Sequence, residues 1–266
     1  ASAIEPLLKA DELVDQAMRH AAGLEHVMPF CRQRALAALV SLLSTSITAI
    51  AEYNADHPSF PLSRSTIEKL MRKQLLLATI WGLGGCLQLS ERNKFAQFVC
   101  SVSSVPLPPT GEADILDFEV NMEDGEWTSL ERKVPNIELD AHKIASSDVL
   151  VPTLDTVRHE QLLQSWLRSR RLSILCGPPG SGKTMTIAST LRSLPDVELV
   201  SLNFSSTSSP DLLLKTFEHY CTYIKTMEGA ILVPQVSGKW LVIFCDEINL
   251  PETDKSGTQH IITFLP

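Results

Sequence analysis

The first hundred residues of the chain carry apolar side chains at spacings of three and four positions, which is the period of an α-helix. Leu7–Ala17 and Leu36–Ile47 are two such series. The strict alternation of apolar and polar residues that favours a β-strand is absent from the sequence of residues 4–104. The pattern therefore predicts a small domain built from helices.

A polar stretch interrupts this helical pattern. Asn54–Pro61 contains Asn, Asp and two Pro, residues that favour loops and turns. Ser63 or Ser65 then offers a hydroxyl that can accept a hydrogen bond from the first turn of a helix. We predict a loop over Asn54–Pro61 and, after it, a helix that runs through Leu76 and Trp81.

The run from Ala35 to Ala51 lacks charged residues. It is at the short limit for a membrane span and is diluted by Ala, Ser and Thr, so we predict a buried helix and no membrane contact. Acidic residues occur early in the chain, and no basic segment is followed by an apolar one. No signal peptide is therefore expected.

Three prolines and a glycine between residues 106 and 111 end the helical region, because proline removes a backbone donor and fixes its own φ. We predict a domain boundary here. Beyond it, Ile115–Met122 and Glu126–Leu130 flank Glu123-Asp124-Gly125, a polar break with glycine that is typical of a hairpin turn. A β-hairpin is therefore expected in this segment.

From residue 151 onward, apolar runs of strand length alternate with helix-like stretches. The predicted strands are Leu172–Cys176, Val197–Phe204 and Leu241–Cys245, and the predicted helices are His159–Arg168, Lys183–Leu194 and Asp211–Ile224. Strands that alternate with helices indicate a parallel sheet. The expected fold class is α/β plus α, with the helical part first.

A phosphate-binding motif, the Walker A pattern G-x-x-x-x-G-K-[ST], lies between the first predicted strand and the next helix. It is supplied by Gly177, Pro178, Pro179, Gly180, Ser181, Gly182, Lys183 and Thr184, and Met185 follows. Glycines let the loop curl around a phosphate, and the helix N-terminus adds a positive dipole end. Lys183 is expected to reach the β- and γ-phosphates of ATP, and Thr184 to ligate Mg²⁺. A chance glycine-rich turn is the weaker alternative, since strand, loop and helix occur in the required order.

The last predicted strand ends in two carboxylates, Asp246 and Glu247, which form a Walker B pattern. Packing does not explain acidic residues at the end of a buried strand. Asp246 is expected to hold Mg²⁺ through its water shell, and Glu247 to orient and polarise the attacking water. Two acids that merely begin the next turn are the alternative. With the P-loop upstream, an ATPase site is favoured, in which Lys183 and Glu247 are catalytic.

Pro152 and Thr153 precede a helix-like stretch and are candidates for covering the adenine of ATP or ADP. A plain N-capped loop is an equally good interpretation of these two residues. His159 and His219 lie in helix-like stretches and are interpreted as ordinary surface or boundary residues. The sequence contains no cluster with metal-ligand spacing.

The net charge of −8 arises in residues 111–140, which hold ten Asp or Glu against Arg132 and Lys133. The rest of the chain is neutral, so it has little electrostatic means of holding a nucleic acid backbone, and nucleic acid is not expected as a partner. The acidic window is interpreted as a solvated connector. Six cysteines without C-x-x-C spacing predict reduced core residues of a cytosolic protein.

The amino-acid sequences of these motifs are similar to those of one family, the cytoplasmic dynein heavy chains, and within that family to the third AAA+ module. The segments that carry the resemblance are Val151–Arg158, Cys176–Met185, Leu202–Ser206, Gly238–Trp240 and Phe244–Pro251, with Val105–Pro108 upstream. The resemblance implies three parts of the chain. Residues 1–104 are the helical small (lid) domain that ends the second module, 105–150 an acidic connector with a hairpin, and 151–266 the first part of the third module's P-loop large domain.

The resemblance also implies a function. It points to a microtubule minus-end-directed motor of the cytoplasm, in which this module binds and slowly hydrolyses ATP and gates release from the microtubule. The implied partners are neighbouring AAA+ modules of the same chain, and microtubules and accessory chains reached through other parts of the protein. Two alternatives stay open: a structural module that holds nucleotide without turnover, and an axonemal dynein or another giant AAA+ ring ATPase.

By the same resemblance, a later strand with a polar γ-phosphate sensor inserts between the Walker A and Walker B strands, and a neighbouring module supplies an arginine finger. No such strand follows Glu247 in these 266 residues. We therefore expect an incomplete sheet and at most trace ATPase activity from the isolated chain.

Overall fold

The computed structural model describes residues 13–109, 114–135, 152–227 and 229–264, which form two compact units that divide after Thr186. The start of the first predicted helix, Gly111, residues 136–150 of the predicted connector and residue 151 lie outside the described residues. The elements of the first unit are α1 (Leu13–Ala21), α2 (Arg32–Asp56), α3 (Arg64–Gly84), α4 (Leu89–Val102), a 3-10 turn (Ile115–Asp117), β1 (Phe118–Val120), β2 (Trp127–Ser129), a second 3-10 turn (Leu130–Lys133) and α5 (Leu154–Arg168). A further helix, α6 (Lys183–Arg192), begins in the first unit, and the second unit continues with β3 (Val197–Asn203), α7 (Pro210–Tyr220), β4 (Cys221–Thr226), β5 (Gly229–Pro234), β6 (Trp240–Asp246) and α8 (His260–Phe264).

The start of α3 shows which serine caps it. The Ser63 hydroxyl accepts a hydrogen bond from the Thr66 N–H at 3.1 Å, whereas Ser65 lies inside the helix. Satisfying a first-turn N–H is what a capping hydroxyl contributes. The predicted helix is thus confirmed, but the predicted loop before it is shorter than expected, because α2 continues to Asp56.

The core of the first unit forms where α1 to α4 pack together. Its fully buried side chains include Leu70, Leu76, Ile80, Leu83, Phe95 and Val99. Gly82 allows α3 to approach α2, because a Cβ at this position would lie 2.7 Å from the Leu39 Cα. The helical part of the predicted fold is confirmed.

Helix α2 is only partly a buried helix. The helix is long and apolar enough to cross a membrane by these two criteria alone. In its most apolar 18-residue stretch, 33% of the residues are buried. Leu39 and Leu43 face the core, but Leu36 and Val40 are exposed. The prediction of a buried helix is right for one face of α2 and wrong for the other.

The predicted hairpin is confirmed as the antiparallel pair β1–β2, in which Val120 lies opposite Trp127. Gly125 in its turn has φ of 68°, a backbone region that side chains disfavour. Arg158 of α5 forms an ion pair with Asp117 and donates a hydrogen bond to the Leu116 carbonyl at 3.1 Å. The start of the hairpin is thereby bonded to α5.

The second unit contains the predicted parallel pairing. β3 and β6 pair in parallel over their whole length, from Val197 opposite Trp240 to Asn203 opposite Asp246. The helix predicted to reach Ile224 ends at Tyr220 instead, and β4 pairs with β5 as an antiparallel hairpin. The prediction was wrong here because the Thr-Tyr-Ile run favours a strand once a partner strand follows a short turn.

The predicted strand Leu172–Cys176 does not form. Among the described residues this segment joins no β-ladder. Leu172 is 78% exposed and Ile174 is 57% exposed. An apolar run of strand length becomes a strand only when another strand satisfies its backbone groups.

The six cysteines are all free of disulfide bonds. Cys221 is buried, but Cys31 and Cys176 are exposed. The prediction that the cysteines belong to the core is wrong for these two exposed residues.

Candidate functional site

The P-loop motif occupies the turn that leads into α6. Gly180 and Gly182 have φ of 77° and 79°. A Cβ added at either position would meet nothing within 4 Å, so the need for glycine comes from the backbone angle and not from lack of space. The Thr186 N–H donates to the Gly182 carbonyl at 2.9 Å, which is the first helical hydrogen bond of α6. The glycine pattern therefore produces a curled loop at a helix N-terminus.

Lys183, the first residue of α6, folds its side chain back over this loop. Its Nζ donates hydrogen bonds to the Gly177 carbonyl at 3.0 Å and to the Pro178 carbonyl at 2.8 Å. The ammonium group thus lies over the loop backbone. It is held there by two carbonyl oxygens and not by a carboxylate, so its charge is not neutralised by these contacts.

The other motif residues lie around this lysine. The Ser181 N–H donates to the Pro178 carbonyl at 3.3 Å, which closes the turn. Thr184 is exposed and Met185 half-buried in the first turn of α6. A Cβ at Gly177 would come within 2.9 Å of the Ser181 hydroxyl. The structure brings together the motif residues from 177 to 185 in one loop and one helical turn.

Asp246 and Glu247 lie where β6 ends. The Asp246 carbonyl accepts a hydrogen bond from the Phe204 N–H at 3.1 Å, and its Oδ1 accepts one from the Glu247 N–H at 3.0 Å. Glu247 has φ of 54°, one of two non-glycine residues with positive φ among the described residues. The chain therefore leaves the strand sharply, and the Glu247 side chain is exposed. Strain of this kind is enriched at functional sites.

The neighbouring strand contributes a residue that sequence reasoning did not assign to the site. Asn203 ends β3 and lies opposite Asp246 in the parallel pair. Polar groups at the carboxyl ends of adjacent parallel strands share one edge of the sheet, which is where α/β proteins bind ligands. An amide at the end of the apolar run from Val197 to Leu202 was the available signal.

Thr153 is the N-cap of α5. Its hydroxyl accepts from the Thr156 N–H at 3.3 Å, while the Thr156 hydroxyl accepts from the Thr153 N–H at 2.6 Å. This reciprocal arrangement is a capping box, so Thr153 caps the start of α5. Pro152, directly before it, is half-buried.

The two histidines singled out in the sequence serve local packing. His159 lies edge-on to Trp81, with ring centroids 6.2 Å apart, and burial lowers the pKa of its imidazole. His219 lies edge-on to Tyr220. Within the described ranges, no three His, Cys, Asp or Glu side chains come together as a metal-ligand cluster.

Two family profiles match the chain. The dynein heavy chain AAA lid domain matches residues 4–132, and the P-loop containing dynein motor region matches residues 139–266. The first match includes the helical core and the hairpin. The second includes the P-loop, Asp246 and Glu247.

Individual relatives agree with these profiles. A cytoplasmic dynein heavy chain from Drosophila melanogaster is 51% identical over 98% of this chain. Those from Neurospora crassa and Dictyostelium discoideum are both 47% identical over all of it. The chain spans about 6% of the length of each of these relatives. The chain belongs to the cytoplasmic dynein heavy chain family, and it contains an AAA lid domain followed by P-loop AAA+ motor sequence.

Proposed function

We propose that this chain binds ATP and ADP with Mg²⁺ at its P-loop and hydrolyses ATP slowly, as a regulatory module of a microtubule minus-end-directed motor. The observation that carries the proposal is the P-loop itself, with Gly180 and Gly182 at positive φ and the Lys183 ammonium over the loop backbone. The proposed division of the chain is a lid at 1–104, a connector at 105–150 and part of a large domain at 151–266.

The loop residues fit a polyphosphate. The first turn of a helix leaves N–H groups without intrahelical partners, and these groups with the helix dipole favour an anion at that end. We assign this binding role to Gly177, Pro178, Pro179, Gly180, Ser181, Gly182, Lys183, Thr184 and Met185, and the adenine side to Pro152 and Thr153. Lys183 is held by neutral carbonyls, so it can exchange these hydrogen bonds for contacts with phosphate oxygens.

The Thr184 hydroxyl and the Asp246 carboxylate are the proposed magnesium ligands, the latter through water. Both supply oxygen atoms, the ligand type that this ion prefers. Bound Mg²⁺ neutralises charge that develops on the phosphate oxygens. Asp246 is well placed for a fixed role, because its backbone carbonyl is anchored by Phe204 at the end of the parallel pair.

Glu247 is the proposed group that orients and polarises the attacking water. The Glu247 side chain is exposed beyond the end of β6. The Leu250 N–H donates a hydrogen bond to the backbone carbonyl of Glu247 at 3.0 Å, which fixes the turn that holds this side chain. A residue held at φ of 54° must be maintained by its surroundings at a cost of about 1–3 kcal/mol. This strain supports a catalytic role over a purely structural nucleotide site.

The wider setting of the module is part of the proposal. We infer that neighbouring AAA+ modules of the same heavy chain contact it and supply the missing catalytic groups, and that it works in the cytoplasm on microtubules. Contacts with microtubules and accessory chains are assigned to other parts of the protein. The relatives named cytoplasmic dynein heavy chain support this setting.

Equilibrium binding of fluorescent ADP and ATP analogues with Mg²⁺ to the 266-residue chain tests the nucleotide site. Lys183→Ala should weaken binding about 10- to 100-fold, because a charge-assisted contact contributes about 1.5–3 kcal/mol. Lys215→Ala, which removes an exposed lysine of α7, is the matched control and should leave affinity unchanged. Equal affinity of the chain and Lys183→Ala would refute the assignment.

Hydrolysis distinguishes the regulatory ATPase from a structural nucleotide module. In the full-length heavy chain, Glu247→Gln should preserve nucleotide affinity and abolish turnover at this site, because the amide cannot act as a base. Undiminished turnover would show that another group orients the water, and absence of turnover before the substitution would favour the structural alternative.

A further inference from the structure

Helix α5 is attached to other elements of the first unit at two separate places. At its middle, Gln161 Nε2 donates a hydrogen bond to the Glu119 carboxylate of the hairpin at 2.8 Å. At its end, the contact is with α2. There the Thr45 hydroxyl donates to the Ser165 carbonyl at 3.2 Å and lies 2.6 Å from the Ser169 hydroxyl. The end of α5 therefore has an attachment of its own.

The Thr45 hydroxyl is suited to this position because it can donate and accept at the same time. It shares its hydrogen between the Ser165 carbonyl and the Ser41 carbonyl of its own helix, 3.1 Å away, and it can accept the Ser169 hydroxyl hydrogen. The Ser165 carbonyl is one of the last four of α5, which lack a full set of intrahelical partners. Thr45 thus completes the last turn of α5 from a neighbouring helix.

That last turn ends in a backbone conformation that side chains disfavour. Arg170 has φ of 54°. Its N–H donates to the Leu167 carbonyl at 2.9 Å, and the Arg171 N–H donates to the Trp166 carbonyl at 2.9 Å. This is the Schellman end of a helix, in which glycine usually occupies the left-handed position. An arginine in that position must be maintained by the surrounding structure, and the Thr45 contacts lie directly beside it.

The chain runs from this turn to the P-loop with little support between them. Residues 172–176 join no β-ladder within the part of the chain that the structure describes. The Gly177 carbonyl, directly after them, accepts the hydrogen bond from Lys183. A segment without a partner strand takes its path from the elements at its two ends. The left-handed turn at Arg170 therefore influences how the chain enters the P-loop.

We propose that Thr45 is a positioning residue for the nucleotide site: its hydrogen bonds to the end of α5 hold the turn at Arg170 and, through it, the conformation of the P-loop that binds phosphate. This inference rests on the proposed function. Thr45 acts through Ser165 and Ser169 and does not itself contact nucleotide. Because coupling between two sites is reciprocal, bound nucleotide stabilises the same turn.

Equilibrium binding of fluorescent ADP with Mg²⁺ to the 266-residue chain tests the proposal. Thr45→Val, which keeps the shape and removes the hydroxyl, should weaken binding about two- to tenfold, the range of a neutral hydrogen bond. Thr45→Ser retains a hydroxyl and should restore the affinity. Ser169→Ala should also weaken binding, and its effect should be less than additive with that of Thr45→Val, because both remove the same contact.

Two control variants remove hydrogen bonds of similar kind elsewhere. Ser46→Ala removes the hydroxyl next to Thr45, which bonds only within α2, to the Leu42 carbonyl at 3.1 Å. Gln161→Met removes the attachment at the middle of α5. Both should leave ADP affinity unchanged. A loss in either control as large as that in Thr45→Val would overturn the proposal, since any loosening of these helices would then suffice.

Hydrogen exchange of the Arg170 and Arg171 amides separates positioning from stability alone. ADP should slow this exchange in the parent chain and slow it less in Thr45→Val. Circular dichroism reports folding, and Ser169→Ala carries the test if Thr45→Val unfolds. Parent-like affinity in Thr45→Val and Ser169→Ala, with binding lost in Lys183→Ala, would overturn the role of Thr45 and leave the nucleotide site in place. Absence of ADP binding to the parent chain would overturn both.

Discussion

The two units of this chain bury their apolar residues to very different degrees. In the first unit, helices α1 to α4 enclose side chains such as Leu76 and Phe95 that have no exposed surface. In the second unit, Phe204, Leu213 and Ile261 form a small core, and the residues of β6 from Leu241 onward are only half-buried. The same chain thus contains a well-packed helical part and a thinly covered parallel sheet.

The difference follows from what each kind of element needs. An amphipathic helix buries one stripe, which a few neighbouring helices can cover. A strand of a parallel sheet is apolar on both faces and requires layers on both sides as well as strands at both edges. Within the described residues, β3 and β6 have one partner strand each. Four pairs of substitutions test this contrast.

The largest expected effect is that of deleting a core side chain in the first unit. Leu76→Ala should lower the free energy of unfolding by about 3 kcal/mol, since it removes fully buried methyl groups and leaves a cavity. Leu241→Ala in half-buried β6 should cost about 1 kcal/mol. Hydrogen exchange measured separately in peptides of the two units gives both values, and equal losses would contradict the contrast.

A close helix contact provides the second test. Gly82→Ala should destabilise the first unit by about 2 kcal/mol, because the new Cβ would meet the backbone of Leu39 at 2.7 Å. Gly23→Ala is the control, since its nearest neighbour, the His20 carbonyl, is 3.6 Å away. Urea unfolding measures both variants, and a neutral result for Gly82→Ala would mean that α2 and α3 are loosely packed.

Helix caps sharpen the comparison on a smaller scale. Ser63→Ala should destabilise the first unit by about 1 kcal/mol, because it leaves the Thr66 N–H without its acceptor. Ser209, the N-cap of α7 in the second unit, makes no capping hydrogen bond through its side chain, so Ser209→Ala should change stability very little. Thermal unfolding of the two variants tests whether the two caps differ in their contribution to stability as they differ in hydrogen bonding.

The smallest effect concerns a charge beside the first core. Hydrogen bonds from Lys73 and Lys69 hold the pKa of Glu126 below its usual value of 4.5. A carboxyl group whose pKa is lower in the folded chain than in the unfolded chain stabilises the fold at pH values above its unfolded pKa. This stabilisation is lost as the pH falls through its folded pKa. The stability difference between the parent chain and Glu126→Gln should therefore be fully present at pH 7, begin to decline near pH 4.5, and be lost as the pH falls through the lowered pKa of Glu126. Glu123→Gln, in the same hairpin turn, is the control, and a difference that persists in acid would reject the lysine contacts as its source.

Local chemistry made some features predictable. Gly125 in a polar break signalled the hairpin, and the apolar run that ends at Asp246 signalled β6. The strand at 172–176 was predicted from equally good apolar composition and is absent. Composition reports what a segment would bury, but a ladder depends on a partner elsewhere in the chain.

For the candidate site, the sequence by itself determined the residue types and their order: glycines where the backbone turns, a lysine at the start of α6, and acids at the end of β6. These follow from local rules of backbone angle, helix start and strand end. Only the tertiary structure decided that Asn203 lies beside Asp246 and that Lys183 folds onto the Gly177 carbonyl. These neighbours are far apart in sequence or depend on side-chain conformation, and packing alone sets such contacts.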